Sequence, residues 1–188
     1  MPSVSSPGVQ GNAQDLPQSS ALPEVFIALG ANLPSQAGPP LATLEAALLA
    51  LARAGLAPRK RSRWYESEPV PASDQPWFVN GVVAVTTLET PYNILKILNN
   101  IEYDYGRSRT LANAARPLDL DLLACGQIIL SDAGPGGLIL PHPRLAERGF
   151  VLLPWAEIAP QWRHPLSGKT IAEMARAVPP RPIVRRLG

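Results

Sequence analysis

Two aspartates, Asp119 and Asp121, stand one residue apart inside the apolar run Leu118 to Ala124. On a strand, residues two apart share a face. Both carboxylates would then point one way while Leu118, Leu120, Leu122 and Ala124 point the other, into a core. Carboxylates about 7 Å apart repel by about 2 kcal/mol at an effective dielectric of about 20, and a hard cation between them reverses that sign. An oxygen-only, histidine-free pair suits Mg²⁺, which completes its octahedron with water and substrate phosphate. Taken alone, an Asp-x-Asp pair is more often the solvated face of an edge strand.

The surroundings of the pair change that balance. Arg116 lies just upstream, and Arg107 and Arg109 follow the preceding helical pattern. Carboxylate-held magnesium beside converging arginines suits phosphoryl-type transfer, because charge on the moving group must be neutralised. Downstream, Pro141-His142-Pro143-Arg144 runs on to Arg148-Gly149-Phe150. A lone histidine is more often a structural hydrogen-bonder than a catalyst, and a lone Arg148 more often a surface charge. Cys125 has apolar neighbours and no histidine close in sequence, so it reads as a small core residue.

The elements that must position these groups follow from periodicity. Val25 to Leu29 is an apolar run ended by Gly30 and reads as a buried strand. Leu41, Leu44, Leu48 and Leu51 recur at helical spacing up to Gly55. Arg59 to Tyr65 and Val79 to Leu88 read as strands, the second rich in β-branched residues. Thr90-Pro91 supplies an N-cap and first-turn proline for a helix carrying Ile94, Leu95, Leu98 and Ile101 and ending at Gly106. Leu118 to Ala124 is a further strand, with Gln127 to Leu130 as a small hairpin partner. Arg144 to Leu153 reads as a helix limited by Pro154. Ser167-Gly168-Lys169 is a turn, and Thr170 to Glu173 a capping box opening a last helix.

Two strands in succession without an intervening helix favour an α+β, ferredoxin-like α/β sandwich, with a mainly antiparallel central sheet and helices on both faces. No GxGxxG or GxxxxGK[ST] loop is present, so a nucleotide would have to be held another way.

The 188 residues suit one domain. Residues 1–22 carry Asp15 as their only charged side chain and are expected to be a disordered leader. Residues 23–180 then form the domain and 181–188 a C-terminal tail. A net charge of +2 argues neither for nucleic acid nor for an acidic membrane surface. No apolar run is long enough to span a bilayer, and no basic segment leads into an apolar one as in a secretory signal. One cysteine excludes an internal disulfide framework and fits a reducing compartment, so the cytoplasm is expected.

The segments Arg116 to Asp121 and Pro141 to Phe150, in that order and separation, resemble the 6-hydroxymethyl-7,8-dihydropterin pyrophosphokinases. Phe26 to Leu33, Tyr65 with Pro69, Asp74 to Asn80, Ile101-Glu102 with Gly106 to Arg109, and Glu157 to Pro160 extend the resemblance over roughly residues 24–177. It implies transfer of the ATP β,γ-pyrophosphate to the hydroxymethyl of a reduced pterin, leaving AMP. It implies two Mg²⁺ ions held by Asp119 and Asp121, with Arg107, Arg116, His142 and Arg148 contacting ATP. Arg107 and Arg116 would be the catalytic pair. Asn80 would hydrogen-bond the pterin between Phe78 and Phe150, with Ser67 and Val70 lining the pocket, and the acting unit would be a monomer. A flat polar ring does want two aromatic faces and an amide that both donates and accepts; without the flanking motifs, both phenylalanines would pass as core.

The sequence departs from the family pattern between Arg109 and Arg116. Ala112 stands where a basic residue is expected, no tryptophan is present in that run, and Pro117 follows the arginine. A missing charge-assisted contact costs on the order of 1.5–3 kcal/mol, so one alternative is a catalytically weakened relative that binds a nucleotide or a protein partner. Another, suggested by Arg181 to Arg186, is a nucleic-acid-binding module, but no strand shows the paired exposed aromatics such a module needs.

Overall fold

A computed structural model describes residues 22–107, 114–132, 134 and 137–188. The expected leader, Leu22 apart, lies outside the described residues, as do Arg109 and Ala112. In chain order the elements are β1 (Val25–Ala31), α1 (Pro40–Arg53), β2 (Ala57–Arg61), β3 (Tyr65–Ser67), β4 (Phe78–Thr86), α2 (Pro91–Asp104), β5 (Asp119–Cys125), β6 (Leu130–Ser131), β7 (Ile139–Leu140), a single 3-10 turn (Leu145–Glu147), α3 (Gly149–Ile158), α4 (Ile171–Arg176) and β8 (Val184–Arg186).

The main sheet has the order β5-β1-β4-β3-β8, with β2 also pairing with β4, and its pairings are antiparallel. Alternation along β1 feeds two cores. Val25, Ile27 and Leu29 pack with Leu44, Leu51, Ile94 and Leu98 of α1 and α2. Phe26 and Ala28 pack on the other face with Val151, Leu152, Trp155 and Ile171 of α3 and α4. The α+β sandwich expected from the sequence, with helices on both faces, is what the chain adopts.

Several boundaries differ from expectation, each for a physical reason. The strand expected over 59–65 is divided into β2 and β3. Ser62 takes the Val82 N–H on its hydroxyl at 3.0 Å, and the Trp64 ring lies so close to Gly81 that a Cβ there would stand 2.6 Å from it. Leu123 is an extra residue between the partners of Phe26 and Ile27, a β-bulge. Leu118, Leu120 and Leu122 therefore face α1 and α2 as expected, whereas Ala124 joins Leu123 in the opposite core. Helix α3 runs through Pro154 instead of stopping there. Burial of Val151, Leu152 and Trp155 holds the turn despite the lost N–H. The hairpin partner expected at 127–130 is instead Leu130 and Ser131, paired with Leu140 and Ile139.

Residues 181–188, expected as a tail, supply β8, whose Val184 to Arg186 pair with Ser67 to Tyr65. The capping box at Thr170 and Glu173 is present. Cys125 is buried, and burial pushes its thiol up to about 11. Among the described residues no helix is long and apolar enough to cross a membrane.

Candidate functional site

Three adjacent strands bring the chemistry together. Gly30 of β1 pairs with Asn80 of β4 on one side and with Asp119 of β5 on the other. These side chains share the face that carries α3, because the alternate residues Leu29 and Leu120 belong to the opposite core. Gly30 keeps the floor between them open. A Cβ there would meet Asn80 Oδ1 at 3.3 Å and the Asp119 Cβ at 3.8 Å, tight enough to displace the amide.

On the Asn80 side lies a cleft of about 120 Å³, lined by Ser67, Val70, Phe78, Asn80 and Phe150 together with Arg116, Asp119 and Arg148. The five residues that the sequence resemblance assigns to the pterin thus line a single cleft. Asn80 is buried and donates from Nδ2 to Ser67 Oγ at 3.0 Å, which fixes its rotamer. Phe78 at the head of β4 and Phe150 in the first turn of α3 are half-buried, and the Arg148 guanidinium sits 5.8 Å from the centre of the Phe150 ring.

On the other side of the aspartates a second groove is lined by Arg107, Asp121, His142 and Pro143, together with Leu138 and Ile139 at the start of β7. Burial pushes the His142 imidazole down. Asp121 opposes this, and the charges of Arg148 and Arg144 add to it, so the ring is neutral near pH 7. Its Nδ1 accepts the Arg144 amide at 3.1 Å, which leaves the proton on Nε2.

The carboxylates between the two clefts are paired with arginines. Asp119 Oδ1 receives Arg107 at 2.7 Å and Arg116 at 3.0 Å, and Asp121 receives Arg148. Arg116 is held through its backbone: its amide donates to Asn32 Oδ1 at 2.8 Å, and its carbonyl accepts from the amides of Asn32 and Leu33. Among the described residues no three His, Cys, Asp or Glu side chains converge as a complete metal cage. Two carboxylates on one face, with anionic ligands still to be supplied by a substrate, fit Mg²⁺ better than a metal that needs a full protein shell.

Three residues that hold the site carry no assigned role in the sequence pattern. Glu102 is buried on α2, accepts the Leu120 amide at 2.7 Å and pairs with Arg107, so it ties the helix to the aspartate strand. A carboxylate on the same helical face as Ile94, Leu98 and Ile101 was the available signal. Asn32 holds Arg116 and also donates to the Pro76 carbonyl at 3.1 Å. Glu68 lines the cleft with no local signal at all.

The model of the 7,8-dihydro-6-hydroxymethylpterin-pyrophosphokinase family matches residues 26–160. The chain is 39% identical over 153 residues to the 2-amino-4-hydroxy-6-hydroxymethyldihydropteridine pyrophosphokinase of Synechocystis, covering 81% of this chain and 74% of that one. It is 39% identical over 159 residues to the protein of the same name from Pseudomonas aeruginosa, covering 82% and 91%. A solved Plasmodium falciparum HPPK-DHPS chain with pteroate superposes with a TM-score of 0.63 at 14% identity. That match covers 85% of this chain and 45% of the longer Plasmodium chain, and it speaks to the fold alone.

Proposed function

The chain belongs to the 7,8-dihydro-6-hydroxymethylpterin-pyrophosphokinase family, an ATP-using activity of folate biosynthesis, and on that premise we propose how its own residues divide the work. The cleft over Asn80 takes the pterin, and the groove between Arg107 and His142 takes ATP. The observation that carries this reading is the row Asn80, Gly30, Asp119, which sets an amide, an open floor and a carboxylate side by side between the two clefts.

Asn80, locked by Ser67, presents its amide to the edge of the heterocycle. Phe78 and Phe150 bracket its faces, and Val70 closes the rim. Asp119 and Asp121 would hold the two magnesium ions, which supply charge neutralisation along the triphosphate. Arg107, Arg116 and Arg148, now on those carboxylates, turn to the phosphate oxygens, and neutral His142 donates from Nε2. The pterin hydroxyl oxygen forms a bond to the β-phosphorus, the bond from that phosphorus to the α-phosphate oxygen breaks, AMP leaves, and the hydroxyl proton is released. Arg107 and Arg116 flank Asp119 at the junction of the clefts, where charge develops, and act as the catalytic pair. Every group in this scheme comes from one chain, so a monomer suffices.

Incubation with ATP, Mg²⁺ and 6-hydroxymethyl-7,8-dihydropterin tests the reading. AMP and the pterin diphosphate are expected in equal amounts, and ADP in place of AMP would overturn it. No turnover at all would favour the binding-only relative, the reading that Ala112 supports.

A further inference from the structure

The C-terminal residues 181–186 lie along the side of the cleft over Asn80 that is built from the end of β3, the residues before Phe78 and the start of α3. Pro182 lines the cleft itself. Val184 pairs with Ser67 and lies over Gly149, where an added Cβ would stand 3.6 Å from its methyl. Gly149 adjoins Arg148 and Phe150, so the strand rests on the start of the helix that carries them. The Arg185 guanidinium stacks on Trp77, 4.9 Å from the ring centre, next to Phe78.

One side chain fixes this strap beside the cleft. Glu68 follows β3 directly and lines the cleft. It accepts the Ile183 amide at 2.7 Å and Arg181 Nη1 at 2.9 Å, while its own amide donates to the Ile183 carbonyl at 3.1 Å. Arg181 is 74% exposed, so its ion pair contributes little. The charge-assisted bond to the half-buried Ile183 amide is the stronger of the two. Both anchors flank Pro182 in sequence, and so they set where the ring stands. Arg185 on Glu66 at 3.0 Å and Arg186 on Glu157 at 2.9 Å fasten the rest of the strand.

We propose that residues 181–186 form a strap that closes the pterin cleft on its outer side, with Glu68 as the positioning residue that holds Pro182 in the wall. The inference rests on the assignment of that cleft to the pterin. Among the described residues the strap's side-chain bonds go to Tyr65, Glu66, Glu68 and Glu157, away from the aspartates and from Arg107 and His142, so its effect falls first on the pterin. In the full-length chain, Glu68→Ala should raise KM for the pterin about tenfold, the equivalent of one charge-assisted hydrogen bond. KM for ATP and kcat should stay within about twofold of wild type. Glu68→Gln, which still accepts the Ile183 amide, should recover most of the loss.

A pterin KM unchanged in Glu68→Ala, or one that rises together with the ATP KM, overturns the strap. If Glu68→Ala does not fold, Glu68→Gln decides alone, with an expected rise of about twofold to threefold in pterin KM only. A wild-type chain that releases no AMP would sink the pterin assignment itself. An active wild type with variants of unaltered pterin KM sinks only the strap.

Discussion

Replacing Glu102 separates two contributions that the fold combines in one side chain. The carboxylate is buried, accepts the Leu120 amide at 2.7 Å and pairs with Arg107. In Glu102→Leu the volume is nearly kept, but a buried N–H loses its acceptor, which costs about 1–3 kcal/mol. Arg107 also loses its more buried partner, although Asp119 remains within 2.7 Å. Breaking a buried ion pair from one side costs about 3–5 kcal/mol in all, and the guanidinium, still 20% exposed and still paired with Asp119, places this case toward the lower end. In Glu102→Gln an oxygen still meets the Leu120 amide, so only the charge is lost, for about 1–2 kcal/mol. For a chain of this length each kcal/mol moves Tm by about 2–4 °C. Urea unfolding and thermal melts of both variants measure the difference. Near-equal losses in the two variants would show that the amide contact contributes nothing, and a Glu102→Leu chain within about 0.5 kcal/mol of wild type would refute the whole account.

Asp121→Asn should lower Mg²⁺-dependent AMP release by about 10²–10³-fold while far-UV circular dichroism is unchanged; retained activity would remove Asp121 from the metal site. Asn80→Ala should raise pterin KM about tenfold or more, since the cleft loses its only buried amide edge among the lining residues, and an unchanged KM would move the pterin elsewhere. Burial acts first on Glu157 and pushes its carboxyl up. The Arg63 amide, the Tyr65 hydroxyl and the guanidiniums of Arg186 and Arg63 outweigh it and hold the carboxyl below its ordinary 4.5. A depressed folded value means stability that is fully present above pH 4.5 and is lost as pH falls through that lower value. Glu157→Gln should therefore flatten the fall in urea midpoint below pH 4.5, and an equal slope in both chains contradicts the assignment. With its thiol buried and pushed up to about 11, Cys125 should resist a thiol reagent at neutral pH until the chain unfolds, and rapid native labelling would refute its burial.

What the sequence could disclose was local. The alternation around Asp119 and Asp121, the Thr90-Pro91 helix start and the Thr170 capping box each depend on residues within a turn or a strand of one another, and each was readable. The bulge at Leu123 was not, because it arises from pairing with Phe26 and Ile27 nearly a hundred residues earlier. The break at Ser62 depends in the same way on Val82 and Gly81 across the sheet. Helix α3 crosses Pro154 because Phe26 and Trp162 lie against Trp155, with ring centres 4.8 Å and 4.9 Å away. Most of all, Val184 to Arg186 looked like a basic tail because their partners, Glu66, Tyr65 and Glu157, are remote in the chain. The residues of the candidate site were found through resemblance and motif order, whereas Glu102, Asn32 and Glu68 hold that site through contacts no motif describes.

The charge pattern around the aspartates bears on how a substrate can enter at all. Among the described residues, Glu102, Asp119 and Asp121 face Arg107, Arg116 and Arg148, so three carboxylates balance three guanidiniums and the cluster is neutral. Half-buried carboxylates left bare would raise the energy of the empty chain by mutual repulsion, and bare guanidiniums would do the same. The pairs remove both costs before any ligand arrives. A triphosphate carrying divalent cations is itself close to neutral, so on the function proposed above it brings anions for the arginines and cations for the aspartates in one step. The exchange swaps partners without burying net charge. It also predicts an order of sensitivity. Without magnesium, the triphosphate alone would compete with the aspartates for the same guanidiniums and bind weakly, whereas the metal-loaded nucleotide satisfies both sides. Calorimetry of the wild type with ATP should therefore show an affinity gain of at least about tenfold on adding Mg²⁺. In Asp119→Asn that gain should shrink, because one carboxylate no longer rewards the cation. Equal affinity of wild type for ATP with and without Mg²⁺ would show that the arginines alone set binding and would refute the exchange.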